Sequence, residues 1–223
     1  MNKEIVDGKR MRIIFEAAKC IHSRNCVLAR PDVFVPNAEG EWIHPDRATA
    51  AEVAELAHRC PSGAINYEPL DGSPAEQAPR VNTVHVRENG PLAFHAAMGI
   101  VGEPAQFRAT LCRCGLSAHK PYCDGAHSAA AFQASGEPAT KVSEPLASRA
   151  GSVAIAPLLD GPLQVKGNLE VVSGTGRTVN RVTETWLCRC GQSANKPYCD
   201  GTHKRLGFRA AGAPPPPRGQ ATR

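Results

Sequence analysis

Cys112, Cys114, Cys123 and His127 follow the spacing C-x-C-x8-C-x3-H, and Cys188, Cys190, Cys199 and His203 repeat it 76 residues later. The sixteen-residue stretches that carry them, CRCGLSAHKPYCDGAH and CRCGQSANKPYCDGTH, agree at thirteen positions. In an extended Cys-x-Cys the two side chains point the same way, so both thiolates can hold a single iron. Cys123 and His127 are four apart, as are Cys199 and His203, a spacing that puts each pair on one face of a helical turn and suits a second iron. Two irons bridged by two sulfides would fill such a site. Asp124-Gly125 and Asp200-Gly201 supply a tight start to the turn, where backbone N–H groups can face an anionic cluster. Zinc takes the same donors, but its usual pairs are Cys-x2-4-Cys, which these are not. A catalytic Cys–His pair needs an accessible thiolate. Here every cysteine of the repeat has a ligand role and no hydrolase or transferase motif is present, so no enzyme is expected.

These residues resemble the CDGSH (NEET) iron–sulfur proteins: the cysteines, Ser117 and Ser193, Pro121 and Pro197, and the Cys-Asp-Gly-x-His endings all match. The resemblance runs from Val81 to Phe208 and implies one [2Fe–2S] cluster per motif, held by three cysteines and one histidine. Ser117, Asp124 and Gly125, with Ser193, Asp200 and Gly201, would surround the ligands without binding iron. The family's serine before the histidine is Ala126 in the first copy and Thr202 in the second. Members with two motifs per chain imply that the duplication supplies both halves of a pseudo-dimer. One imidazole in place of a thiolate makes such a cluster less negative and easier to reduce than an all-cysteine one. Reduction can raise the pKa of an imidazole with a free ring nitrogen, and protonation of its metal-binding nitrogen would release the cluster. One-electron transfer is therefore the expected function, with cluster carriage or pH and redox sensing as the alternative.

A second pattern precedes the repeat. CIHSRNC, from Cys20 to Cys26, is followed at a distance by Cys60-Pro61. In the bacterial ferredoxin run C-x2-C-x2-C-x3-C-P a cysteine lies three after the first; that place is Ser23. Residues Met11 to Tyr67 resemble the divergent single-cluster ferredoxin domain. The resemblance implies a [3Fe–4S] cluster on Cys20, Cys26 and Cys60, or a [4Fe–4S] cluster with a non-cysteine fourth ligand. His22 is read as a residue beside the cluster or on the surface. All nine cysteines then have a role, whereas His44, His58, His85, His95 and His119 show no further metal spacing. Lys120 and Lys196, each before Pro-Tyr-Cys, read either as packing beside the cluster or as a positive rim for an acidic redox partner.

The elements that must position these residues are short. With 20 glycines and 19 prolines in 223 residues and only 5% aromatics, the chain reads as many turns around small cores. An alternating run from Arg10 to Phe15 predicts a strand leading to Cys20. Thr49 and Glu52 predict a capping box, and Val53, Leu56, Ala57 and Cys60 recur at helical spacing, so Cys60 closes that helix and Pro61 stops it. Strands are expected at 81–87, in the run up to Leu111, and at 153–159, 163–172 and 182–187, with Ser173–Asn180 as a longer loop. The fold expected is α+β: a small ferredoxin-like domain (1–70), a linker (71–80), a β-rich tandem CDGSH pseudo-dimer with repeats at 81–135 and 153–210 joined by a linker (136–152), and a proline-rich basic tail (211–223).

The net charge of +5 comes from Lys204, Arg205, Arg209, Arg218 and Arg223 in the last twenty residues, which hold no acid, so nucleic-acid binding is not expected. No apolar run approaches the roughly 20 residues of a membrane span. An odd cysteine count and an N-terminus without an apolar core point to a reducing, cytoplasmic setting. Redox partner proteins or apo iron–sulfur acceptors are the expected partners, and an internal pseudo-twofold favours a monomer.

Overall fold

The computed structural model describes residues 3–212; most of the proline-rich tail lies outside the described residues. The chain forms two compact units, Met1–Gln77 and Ala78–Arg223. It is β-rich. Among the described residues the longest α-helix has nine residues.

The first unit is a three-stranded antiparallel sheet in the order β1 (Lys3–Asp7), β2 (Met11–Glu16), β3 (Ile65–Pro69), with α1 (Asn25–Ala29) and α2 (Ala50–His58) between the last two strands. The strand expected at Arg10–Phe15 is β2, one residue on. Ile13, Val33, Phe34, Ile43, Val53 and Ala57 make its core. The capping box forms: the Glu52 N–H donates to Thr49 Oγ1 at 3.3 Å and the Thr49 N–H donates to the Glu52 carboxylate at 2.8 Å. Thr49→Ala should cost about 1 kcal/mol in urea unfolding of this unit. Helix α2 stops at His58 rather than at Cys60. Pro61 restricts the residue before it, and Cys60 lies in the turn beyond the helix, where its N–H donates to the Ala57 carbonyl at 3.0 Å.

In the second unit each repeat contributes three strands and one short helix. The first has β4 (Thr83–Val86), β5 (Leu92–Ile100), β6 (Gln106–Leu111) and α3 (Ala126–Ala129); the second has β7 (Val153–Pro157), β8 (Leu163–Val172), β9 (Thr178–Leu187) and α4 (Thr202–Arg205). Strand β4 pairs antiparallel with β5 of its own repeat and parallel with β8 of the other. Strand β7 does the converse, antiparallel with β8 and parallel with β5. This reciprocal pairing closes one sheet around a shared core that includes Val84, Leu92, Phe94, Ile155, Leu163 and Leu187. The longer loop expected at Ser173–Asn180 is a tight turn instead: the Ser173 N–H donates to the Arg177 carbonyl at 2.9 Å and β9 begins at Thr178. β-Branched Thr178 and Val179 continue the strand, so the extra residues of the second repeat lengthen a hairpin.

The segment at 136–152 is hydrogen-bonded to the strands of the second unit. The Lys141 N–H donates to Val179 O at 2.8 Å, and Arg149 makes a bidentate pair with Glu170 at 2.7 and 3.0 Å. Glu170 is 2% exposed and also accepts from Thr178 Oγ1. The hydrogen bonds from Arg149 hold the Glu170 carboxyl below its ordinary range. A depressed carboxyl contributes stability that is complete above its unfolded pKa and lost as pH falls through the folded one. Glu170→Gln should therefore destabilise this unit by about 1–2 kcal/mol at pH 7, less than a fully buried pair because Arg149 is mostly exposed. In urea titrations the difference from wild type should shrink as pH drops below roughly 4.3.

Candidate metal centres

Strand β6 delivers Cys112 and Cys114, and β9 delivers Cys188 and Cys190, in the bend that follows each strand. The Cys112 and Cys114 sulfurs are 3.7 Å apart, and those of Cys188 and Cys190 are 3.8 Å apart. Across each site, Cys123 Sγ lies 3.4 Å from His127 Nδ1, and Cys199 Sγ lies 3.3 Å from His203 Nδ1. The two pairs of one motif lie within Coulomb range of each other, Cys123 with Cys112 and Cys114, and Cys199 with Cys188 and Cys190. Each motif thus presents its four donors as two pairs. Among the described residues no three His, Cys, Asp or Glu side chains are arranged around one ion.

The expected helical turn joining Cys123 to His127 is not what brings them together. Helix α3 starts at Ala126, and Cys123 precedes it. Gly125, at φ +87°, turns the chain back so that His127 on the helix meets Cys123 below it, and Gly201 at φ +85° does the same for His203. The Gly125 and Gly201 N–H groups donate to the Cys123 and Cys199 sulfurs at 3.4 Å, and the Leu116 N–H donates to Cys114 Sγ at 3.4 Å. Asp124 stitches the site together, its carboxylate accepting from the Ala118 and Ala126 N–H groups at 2.8 and 3.0 Å; Asp200 repeats this with Ala194 and Thr202. Those backbone donors hold Asp200 below the ordinary carboxylate range. Ser117 and Ser193 donate to the Tyr122 and Tyr198 carbonyls at 2.7 Å, and Lys120 and Lys196 donate to the Ser117 and Ser193 carbonyls at 2.5 Å. These lysines close the ligand loop.

In each Cys-x-Cys pair one sulfur donates to the other. That hydrogen bond splits each pair, lowering one thiol and raising its partner, and burial adds to the rise. Metal binding takes both sulfurs as thiolates and would displace their protons. Burial raises Cys123 to about 11 and lowers His127, which favours a neutral imidazole able to ligate. The two histidines differ: His203 is buried, whereas His127 is half-buried.

Arg113 and Arg189, between the paired cysteines, were not anticipated from sequence, although they recur 76 residues apart. Each is 1% exposed. Burial lowers Arg113 to about 10, opposed by Cys188, Glu88 and Cys114, which leaves it cationic at neutral pH.

In the first unit Cys20 follows β2, Cys26 lies on α1 and Cys60 comes after α2. All three line one cavity of about 730 Å³, with His22, Ser23 and Trp42 also on its wall. The loop between Cys20 and Cys26 curls through left-handed conformations at His22 (φ +53°) and Arg24 (φ +63°), and the His22 N–H donates to Cys20 Sγ at 3.4 Å. Ser62 Oγ lies 3.6 Å from Cys60 Sγ. Burial raises the Cys20 and Cys26 thiols, with Cys60 adding to both. A chamber lined by three thiols and a backbone N–H donor fits an anionic cluster held by cysteines.

Comparison with known proteins finds two family profiles in the chain. The profile "Iron-binding zinc finger CDGSH type" matches residues 63–128 and 160–204, and "Divergent 4Fe-4S mono-cluster" matches residues 6–69. The uncharacterized protein YjdI of Escherichia coli K12 is 37% identical over 60 residues, which is 27% of this chain and 78% of that protein. YjdI of Escherichia coli O157:H7 matches to the same extent. The chain is an iron–sulfur protein that belongs to the CDGSH family, with two CDGSH segments behind a divergent single-cluster 4Fe–4S domain.

Proposed function

We propose that the chain holds three clusters and passes single electrons between partner proteins. What supports this reading is the two-and-two pairing of donors in each CDGSH motif: sulfurs 3.7 and 3.8 Å apart on one side, and sulfur and imidazole nitrogen 3.4 and 3.3 Å apart on the other. Cys112 and Cys114 would hold one iron and Cys123 and His127 the second, with Cys188, Cys190, Cys199 and His203 repeating the arrangement. A single zinc needs all four donors around one point. In the first unit, a ferredoxin-like domain on this reading, Cys20, Cys26 and Cys60 would hold a [3Fe–4S] cluster or three corners of a [4Fe–4S] cluster. Such clusters supply a one-electron couple. The chain's own part is to hold the thiolates, direct N–H groups at them, and keep water from the buried cysteines. It carries out no bond chemistry of its own. Its partners would be redox proteins in a reducing compartment, and a pseudo-dimer formed within one chain favours a monomer. No described helix is long and apolar enough to cross a membrane.

A second reading, carriage or acid-triggered release of [2Fe–2S] units, is favoured by the half-buried position of His127. A ligand open to protons can leave its iron. Counting iron, zinc and acid-labile sulfide in protein purified without air separates these accounts. About seven or eight irons per chain with matching sulfide is the expected result. About four would leave only the paired motifs loaded and favour carriage, and zinc in place of iron would overturn both.

A further inference from the structure

We propose that Arg113 and Arg189 form a shared cationic layer between the two CDGSH sites, so that the redox state of one cluster sets the potential of the other. The proposal rests on the two-cluster reading above. Each guanidinium is fixed by carbonyl oxygens of its own repeat. Arg113 donates to Gly90, Ser135, Arg87 and Ala134 at 2.8, 3.0, 2.5 and 3.0 Å, and Arg189 donates to Gly161, Ala211, Leu158 and Ala210 at 2.9, 2.8, 2.5 and 3.4 Å. Phe132 and Phe208 lie 5.6 Å from the two guanidiniums. Carbonyls are dipoles. They satisfy the N–H groups but do not cancel a buried charge, which needs an anion within reach.

The groups that would supply that anionic charge once clusters are bound lie on both sides of the boundary between the repeats. Arg113 is in Coulomb range of Cys188 in the opposite motif as well as of Cys114 in its own, and Arg189 is in range of Cys112 in the opposite motif; Glu88 and Asp160 complete the surroundings. The ligand loops also meet back to back. A Cβ added at Gly115 would lie 2.6 Å from the Cys190 carbonyl oxygen, and one at Gly191 would lie 2.3 Å from that of Cys114. Two cations are thus locked between two sites that each become more negative on reduction. In a buried, weakly screened setting the first electron is stabilised by both arginines, and the second enters a field already partly neutralised. The two centres should titrate at separate potentials.

The test begins with full-length protein in which iron, sulfide and EPR establish that both CDGSH clusters are loaded; unloaded sites would count against the function proposed above, not against the coupling. The paired substitution Cys123→Ser and His127→Ala then removes the first cluster and leaves the Cys-Arg-Cys loops intact. The second cluster should become easier to reduce once its anionic neighbour is gone. In that same background Arg113→Gln should make it harder to reduce, by about a tenfold change in the reduced-to-oxidised ratio at fixed poise, or 59 mV for one electron, and Arg113→Lys should restore most of the shift. A purely structural Arg113 would affect loading without moving the potential of the opposite site. If that potential is unchanged with and without the first cluster, the proposal fails, and this comparison needs no arginine variant to fold.

Discussion

Replacing His127 and His203 by cysteine should lower the midpoint potential of the clusters proposed for both CDGSH motifs by on the order of 100 mV or more, because a thiolate brings a negative charge where a neutral imidazole stood. The site geometry favours retention of iron in these variants. Each histidine sits at the start of a short helix with its Nδ1 3.3–3.4 Å from a cysteine sulfur, so the donor is close to its partner and the backbone turn is set by glycine rather than by the histidine. Acid-driven cluster loss should slow in the same variants. In the wild type an imidazole that takes up a proton on its metal-binding nitrogen leaves the iron, and His127 is half-buried where His203 is buried. Burial lowers the His127 pKa, so loss of the first centre should begin below roughly pH 6.5, and because its imidazole is the more open to solvent it should then go at the faster rate; His127→Cys alone should remove most of that difference. Redox titration followed by visible absorption, together with stopped-flow acid jumps, measures both effects. No change in potential for either substitution would remove the histidines from the ligand set.

The pairing of Cys112 with Cys114 and of Cys123 with His127, and its repeat in the second motif, was legible in the sequence because residue type and interval recur together, and the interval survives whatever the backbone does between the ends. The means of bringing them together was less legible. A spacing of four suggested one helical turn from Cys123 to His127, yet the structure uses a left-handed glycine before a helix that starts at Ala126. Strand β1 escaped notice because five residues with only Ile5 and Val6 apolar give no clear alternation. Helix α1 is five residues long and begins beside a left-handed Arg24, below the length at which periodicity speaks. Arg113 and Arg189 were hidden for a different reason. An arginine is ordinarily read as a surface residue, and only the tertiary fold brings the carbonyls of Arg87, Gly90 and the 134–135 segment around Arg113. The reciprocal pairing of β4 with β8 and β7 with β5 lies equally beyond a linear reading, since it joins strands from different repeats.

That reciprocal fold makes Gly115→Ala and Gly191→Ala damaging small substitutions at the paired ligand loops. Both glycines have φ near +80° (+84° and +78°), and an added methyl would lie 2.6 and 2.3 Å from a backbone carbonyl oxygen of the opposite motif. A flexible side chain could swing aside, but a carbonyl between two cluster ligands cannot without shifting Cys190 or Cys114. Each substitution should cost about 2–4 kcal/mol, combining backbone strain with overpacking. The damage should fall on the partner motif. Gly191→Ala displaces Cys114 and should lower iron at the first site, and Gly115→Ala displaces Cys190 and should lower it at the second. Gly125→Ala and Gly201→Ala provide the control, since both have φ above +80° but meet nothing within 4 Å. They carry only the conformational cost of roughly 1–2 kcal/mol, with any loss of iron confined to their own motif. Iron analysis of each variant combined with removal of one motif's ligands assigns the lost metal to a site. If Gly191→Ala depletes only the second site, the two motifs are independent folding units that share a chain; depletion of the first shows that each ligand loop is held in place by the other.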